Sequence, residues 1–331
     1  MRTKVLGTGM YVPPKVVTND DLAKFMTTTD DWIVERTGIK TRRYTEGEVG
    51  ASDLAYEAAL QACRSAGIEP SSIDLIIFAT LSPDYGFPGS GVLLQAKLGA
   101  KDIPALDVRN QCSGFLYGLS VADALIRTGQ YQRVLLVGAE VHSTGLDFSD
   151  RGRDVAVLFG DGAGAVMLGP VDAEEKRGIL VTRLHSDGSH AKDLWLEAPA
   201  SRYSPRLTKE MIDEGRHYPK MNGKRVFVDA VRSMPAVVEE CLAAAGLNIA
   251  DIDLFIAHQA NLRICNAVQE RLGLDDTKVF NNIQKYGNTT AGSIPIALHE
   301  AAAEGRIKKG GLVCVASFGS GYTWAGALIR W

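Results

Sequence analysis

Cysteine is scarce in this chain, long apolar runs are missing, and neither sign of charge prevails. Five cysteines, at 63, 112, 241, 265 and 314, are spread over 331 residues without a CxxC pair. That excludes a disulfide framework and the usual structural zinc spacings. No stretch approaches the roughly 20 apolar residues that span a bilayer, so no membrane anchor is expected. Lys and Arg (36) nearly balance Asp and Glu (39), for a net charge of −3. No general attraction to nucleic acid or an anionic membrane follows from that balance. With 46% hydrophobic residues and only 12 prolines, the composition also excludes disorder and low-complexity architecture. The opening MRTKVLGTGMYVPP reads as a first strand rather than a signal peptide. A soluble, cytoplasmic protein is expected, with one large core or two smaller ones.

Four of the cysteines lie in apolar helical or strand patterns and read as small buried hydrophobes. Cys112 stands apart. It follows the strand-like PALDVR (104–109) and precedes SGFLYGLSVADALIRTG, an amphipathic helix stopped by Gly129. At a strand-to-helix junction, unpaired N–H groups and the helix dipole favour the thiolate. Locally, a nucleophile and a structural cysteine remain equally open.

The chain echoes itself. CRSAGIEPSSIDLIIFAT (63–80) resembles LAAAGLNIADIDLFIAHQ (242–259), RVLLVGAEV (133–141) resembles GLVCVASFG (311–319), and GAGAVML (162–168) resembles WAGALIR (324–330). The shared order predicts two α/β halves, 1–170 and 171–331, with continuous apolar strands covered by helices on both faces. Between the echoes, residues 186–224 are polar and proline-containing, with Trp195, Met211 and Met221 scattered among charges. They read as an irregular excursion with one helix, either a binding wall or a tolerated surface insertion.

Two polar clusters in the second half end apolar strands or open helices. DLFIAHQANLRI (253–264) sets His258 straight after a buried strand, and KYGNTTAGSIPIAL (285–298) sets Asn288 in a glycine-bounded turn. Cys, His and Asn suffice for acyl-thioester chemistry: a nucleophile and two donors for a developing enolate oxygen. The turn FGSGYTW (318–324) lets a backbone N–H approach an oxyanion closely.

DVRNQCSGFLYGLSVADAL, RGRDVAVLFGDGAGAVML, HSDGS, HQANLRI, GNTTAGS and FGSGYTW, together with TTTDDWIVERTGIKTRRY, resemble the β-ketoacyl-acyl carrier protein synthase III family. The resemblance spans nearly the whole chain. It implies a duplicated thiolase-like α/β fold, layered αβαβα with mixed central sheets, and a homodimer. It implies a decarboxylating Claisen condensation of an acyl-CoA with malonyl-acyl carrier protein, in fatty acid initiation or a secondary-metabolite relative. No cofactor or metal is implied beyond the CoA thioesters themselves.

By matching motifs, the resemblance makes Cys112 the acylated nucleophile and His258 and Asn288 the catalytic donors. The backbone N–H groups of Cys112 and Ser320 would hold the oxyanion. Trp32 and Arg151 would sandwich the CoA adenine, with Thr28 and Arg36 assisting, while Gly152, Ala260 and Asn261 would line the pantetheine channel. Phe87, reaching across the dimer, and His142 would border the acyl pocket. Arg263 would meet the acidic carrier protein.

Several positions depart from the family pattern. Arg109, Asn110 and Gln111 replace small residues before the nucleophile, and His142 replaces an apolar one. RGRDVAVLF runs about two residues long before GDGAG, Lys224 replaces an asparagine, Glu270 a lysine, and Ser320 a glycine or alanine. These departures bear on substrate more than on chemistry. Three rivals rank lower. Ser317 and Asn288 stand where a thiolase keeps its second cysteine and its GHP histidine. Phe87, not glutamate, precedes Pro88, against non-decarboxylative head-to-head condensation. Cys112 itself speaks against a binding-only subunit. Acyl transfer from Cys112 to a hydroxyl, amine or thiol remains the main alternative.

Overall fold

A computed structural model describes residues 1–331 apart from the side chain of Ala173. Its first strands are β1 (Arg2–Tyr11), the short ribbon β2 (Val16–Thr18) and β3 (Thr41–Arg43), β4 (Leu75–Ala79), β5 (Ala105–Val108), β6 (Val134–Glu140) and β7 (Gly162–Val171). There follow β8 (Gly178–Ser186), the two-residue pair β9 (Leu194–Trp195) and β10 (Lys220–Met221), β11 (Leu254–Ala257), β12 (Leu312–Gly319) and β13 (Thr323–Arg330). One sheet runs β1-β7-β6-β4-β5, the other β11-β12-β13-β8. Each mixes parallel and antiparallel pairs: β4 is parallel to β5 and β6, and β11 to β12, while β6–β7 and β12–β13 are antiparallel. The echoed segments fall at equivalent places, β4, β6 and β7 in one sheet against β11, β12 and β13 in the other.

Strand periodicity builds the layers. In β4, Leu75 and Ile77 face one side and Ile76 and Phe78 the other, all 3% exposed or less. The outer side packs on Ala51–Ala66 and Ser90–Leu98. The inner side packs on Gly114–Arg127 and Ser293–Ala303, and these two helices also cover the inner face of the second sheet. Gly223–Ala245 and Leu262–Leu272 close that sheet's far side. The result is an αβαβα stack, the duplicated thiolase-like fold. Phe115, Leu116 and Leu119 of the central helix are each 1% exposed. Truncating such a side chain to alanine typically costs about 2–5 kcal/mol.

Close backbone approach fixes the inner helices. A Cβ on Gly138 of β6 would lie 2.1 Å from the Ala291 carbonyl oxygen, so only glycine lets the 290–292 turn rest on the sheet. That turn lies between Asn288 and the helix Ser293–Ala303. Arg42, fully buried, organises the periphery: its guanidinium donates to Asn19 Oδ1 at 2.7 Å and to the Val157 carbonyl at 2.9 Å. Asn19 in turn donates to Asp30 at 2.7 Å, anchoring the helix Asp30–Thr37 that carries Trp32 and Arg36.

Candidate active site

Cys112 sits in the tight turn Gln111–Ser113 that opens the central helix. Gln111, beside it, adopts the left-handed conformation at φ 46°, uncommon for a side chain this large. Ser113 Oγ donates to the Thr323 carbonyl at 3.0 Å, tying this turn to the second sheet. The 318–324 turn passes directly over the sulfur. A Cβ on Gly319 would fall 2.9 Å from Cys112 Sγ, so this position must stay glycine. Ser320 keeps φ out of the left-handed region, and its N–H, with that of Cys112, acts on the sulfur. Serine is therefore compatible with backbone donation here. Its hydroxyl donates to the Leu194 carbonyl, joining the turn to the 186–224 excursion.

The thiolate expected from the helix start is not the resting state. Burial pushes the Cys112 thiol up to about 12, with the buried Glu140 carboxyl adding to the effect. The two N–H groups pull in the opposite direction, and desolvation outweighs them. The nucleophile rests as a thiol.

His258 follows β11, and its N–H donates to the Ala316 carbonyl at 2.8 Å. The ring's Nδ1 lies 2.6 Å from Ser293 Oγ, and Nε2 is buried without a partner. Ser293 Oγ also accepts from the Gln259 N–H at 3.3 Å, and its hydroxyl proton is available to Nδ1. Donation from Ser293 to Nδ1 is the arrangement that places the ring hydrogen on Nε2. Burial lowers the His258 pKa to about 3, and the ring is neutral. Asn288 is fixed on both sides by Leu158 and Gly160: its N–H donates to Leu158 O at 2.8 Å and its carbonyl accepts from Gly160 at 3.1 Å. Asn288 Oδ1 accepts from the Thr290 N–H at 2.9 Å, which leaves the side-chain NH2 as the free end.

Cys112 stands where two cavities meet. One, of about 690 Å³, is lined by Cys112, His258, Asn288 and Gly319 at its floor. Trp32, Arg36, Lys224, Ala260, Asn261 and Arg263 line it as well. The other, of about 530 Å³, is lined by Gln111, Cys112, His142, Thr290 and Ser320. Leu194 borders both, and Trp195, His217 and Met221 add further wall, so the 186–224 excursion faces the site.

At the outer end the structure places the expected residues differently. Arg151 does not face Trp32: its Nε donates to Asp147 at 2.6 Å, and its guanidinium lies over Tyr218 at 5.7 Å. The guanidinium groups near Trp32 are instead those of Arg153, 4.8 Å from the ring centroid, and Arg36 at 4.5 Å. The two extra residues explain this, because counting back from Phe159 brings Arg153 to the tryptophan. Gly152 packs against Asp147 (a Cβ would meet its carbonyl oxygen at 2.2 Å) and does not line the channel. Thr28 is also outside the lining, its hydroxyl buried without a partner. Asn261 lines the cavity with its side chain committed: Oδ1 caps the helix at Arg263 N–H (2.8 Å) and Nδ2 donates to Arg36 O (3.0 Å). Phe87 is 86% exposed and lines neither cavity within its own chain. Arg153, Ser293 and Thr290 went unread in the sequence. Only Arg153 had a signal there, its spacing from Phe159.

Residues 106–188 match the family 3-oxoacyl-[acyl-carrier-protein (ACP)] synthase III, and 242–331 match that family's C-terminal part. A β-ketoacyl-[acyl-carrier-protein] synthase III of Caldanaerobacter subterraneus is 44% identical over 99% of this chain and 97% of its own. The chain belongs to the β-ketoacyl-acyl carrier protein synthase III family. The crystal structure of the Aquifex aeolicus synthase III superposes with a TM-score of 0.90 at 45% identity, covering 99% of this chain and 100% of that one. For the Thermus thermophilus synthase III the TM-score is 0.91 at 42% identity, with 99% of each chain covered. Synthase III membership makes the protein an acyltransferase-type condensing enzyme. Among the described residues no His, Cys, Asp or Glu cluster is placed to hold a metal ion, and no helix is long and apolar enough to cross a membrane.

Proposed function

We propose that the protein joins an acyl group from CoA to a malonyl thioester on acyl carrier protein, with loss of carbon dioxide, through an acyl-Cys112 intermediate. One observation carries this: a buried cysteine shares a cavity floor with His258 Nε2 and the Asn288 NH2, neither of which has a partner in the chain, and with Ser293 donating to Nδ1 both are donors.

Cys112 Sγ attacks the acyl-CoA carbonyl, and the oxyanion is met by the N–H groups of Cys112 and Ser320. The bond to the CoA sulfur breaks, and the thiol proton leaves with CoA as its free thiol. The malonyl thioester then enters through the larger cavity. Its bond to the terminal carboxylate breaks, carbon dioxide leaves, and the electron pair becomes a thioester enolate. His258 and Asn288 donate to the enolate oxygen, where negative charge develops. The enolate carbon attacks the acyl-Cys112 carbonyl, and the cysteine sulfur departs and takes up a proton. Each step is heterolytic, and the scheme calls for no redox cofactor.

At the mouth, Arg153 takes the role expected of Arg151, gripping adenine together with Trp32, with Arg36 assisting. Arg263 and Lys224 supply positive charge for CoA phosphates and an acidic carrier protein. The chain divides near Pro170 into a half bearing the nucleophile and a half bearing both donors. The protein acts in the cytoplasm as a homodimer. The edge strand β5 is paired on one side only, and Phe87, Tyr85 and Leu106 beside it are 86%, 63% and 43% exposed. Scattering at micromolar concentration is expected to show a dimer, and a monomer would refute that assignment.

The test is intact-mass profiling of Cys112 with acyl-CoAs, followed by malonyl-acyl carrier protein. An acyl adduct that disappears with release of a β-keto product supports the reading. An adduct on Cys112→Ala removes the nucleophile. Transfer of the acyl group to another acceptor without carbon dioxide release makes the protein a plain acyltransferase.

A further inference from the structure

The cavity on the far side of Cys112 from the CoA channel has polar groups without partners in the chain. His142 is 8% exposed, and its Nε2 lies 2.7 Å from Thr290 Oγ1. Its Nδ1 has no partner in the chain, yet it is not among the sealed polar atoms, so it opens onto the cavity that His142 lines. Gln111, held left-handed beside the nucleophile, leaves its side-chain amide without a bond in the chain and lines the same wall. Arg109, also on that wall, forms no ion pair among the described residues. Asp84, nearby in the lining, is no counter-ion for it: its carboxylate accepts from Ser52 Oγ at 2.7 Å and Ser90 Oγ at 2.6 Å. His217 adds a buried, unpartnered Nδ1.

A saturated acyl chain entering this cavity would strip water from these groups and return no hydrogen bond. Set in a lining that also carries Leu81, Val141, Leu146 and Leu196, such groups disfavour an occupant that leaves them unpaired. We infer that the acyl pocket selects an acyl-CoA whose chain carries an oxygen substituent, with His142 and Gln111 reading a hydroxyl or carbonyl and Arg109 reading a carboxylate. This names the primer class of the reaction proposed above and rests on that reading. A hydroxyl suits His142 in either tautomer, because it can donate to Nδ1 or accept from it.

The experiment compares Cys112 acylation rates by intact mass in matched pairs: butyryl-CoA against 3-hydroxybutyryl-CoA, and pentanoyl-CoA against glutaryl-CoA. The oxygen-bearing member of at least one pair is expected to react about ten- to a hundredfold faster. The hydroxyl preference should collapse in His142→Leu, and the carboxylate preference in Arg109→Met, which replaces an exposed side chain. Plain chains that acylate as fast as their partners, and go on to condense, overturn this inference and leave the synthase reading intact. A preference that survives both substitutions removes these residues from the role. Absence of any acyl adduct on folded protein overturns both readings together.

Discussion

Replacing Ser293 by alanine removes one oxygen atom, and its consequences should fall on the second half of the reaction alone. That oxygen lies 2.6 Å from His258 Nδ1 and accepts from the Gln259 N–H at 3.3 Å. With it gone, nothing fixes the hydrogen on Nε2. The alternative tautomer turns a lone pair toward the enolate oxygen and repels the charge it should stabilise. A neutral hydrogen bond of this kind contributes about 1 kcal/mol net, about fivefold in rate, and complete loss of an oxyanion donor about 10²–10³. Carbon dioxide release from malonyl thioester on pre-acylated enzyme should therefore slow by about ten- to a hundredfold. Acylation, which needs the Cys112 and Ser320 N–H groups instead, should stay within about twofold of wild type on this reasoning. The variant should also lose about 1–3 kcal/mol in urea denaturation, since two buried groups lose their partner. Equal slowing of both half-reactions would refute the separation of roles, and unimpaired carbon dioxide release would refute the tautomer argument.

Further outcomes follow from the same geometry. Asn288→Ala should keep acyl-Cys112 formation and lose about 10²–10³ in malonyl decarboxylation, and unchanged gas release would remove Asn288 from the mechanism. Arg153→Ala should raise KM for acyl-CoA about fivefold, from about 1 kcal/mol of lost stacking, while Arg151→Ala should shift it far less. The opposite order would restore Arg151 to the adenine site. His258, with its pKa lowered to about 3, stays neutral when folded, whereas the unfolded chain protonates it below about 6.5. Stability is thus lost as pH falls below that unfolded value, by about 2 kcal/mol at pH 5 from this residue. Urea midpoints at pH 8 and pH 5 should differ less in His258→Gln by that amount, and an identical difference would show a protonated ring in the fold.

Much of this architecture was legible because it is written in local pattern. The echoed helices and strands occupy matching positions in the two sheets, and Cys112, His258 and Asn288 each end a strand or open a helix turn. What escaped reading depends on contacts between distant segments. Ser293 and His258 are 35 residues apart, and their hydrogen bond has no signature in either motif. Arg151 stood in the familiar RG dipeptide, but an ion pair with Asp147 four residues earlier claims it and leaves Arg153 at the tryptophan. The 186–224 excursion lacks periodicity, and its place as a wall is set by tertiary contacts such as Ser320 to Leu194. The resting thiol was missed for a related reason: a helix start can be seen in sequence, whereas the depth of burial that overrides it cannot.

The two cavities share only Cys112, Phe159 and Leu194 in their linings. Side chains around the smaller cavity can therefore be exchanged without altering most of the lining of the larger one. On the proposed reading, the pocket that receives the acyl chain can change while the channel that delivers it is kept.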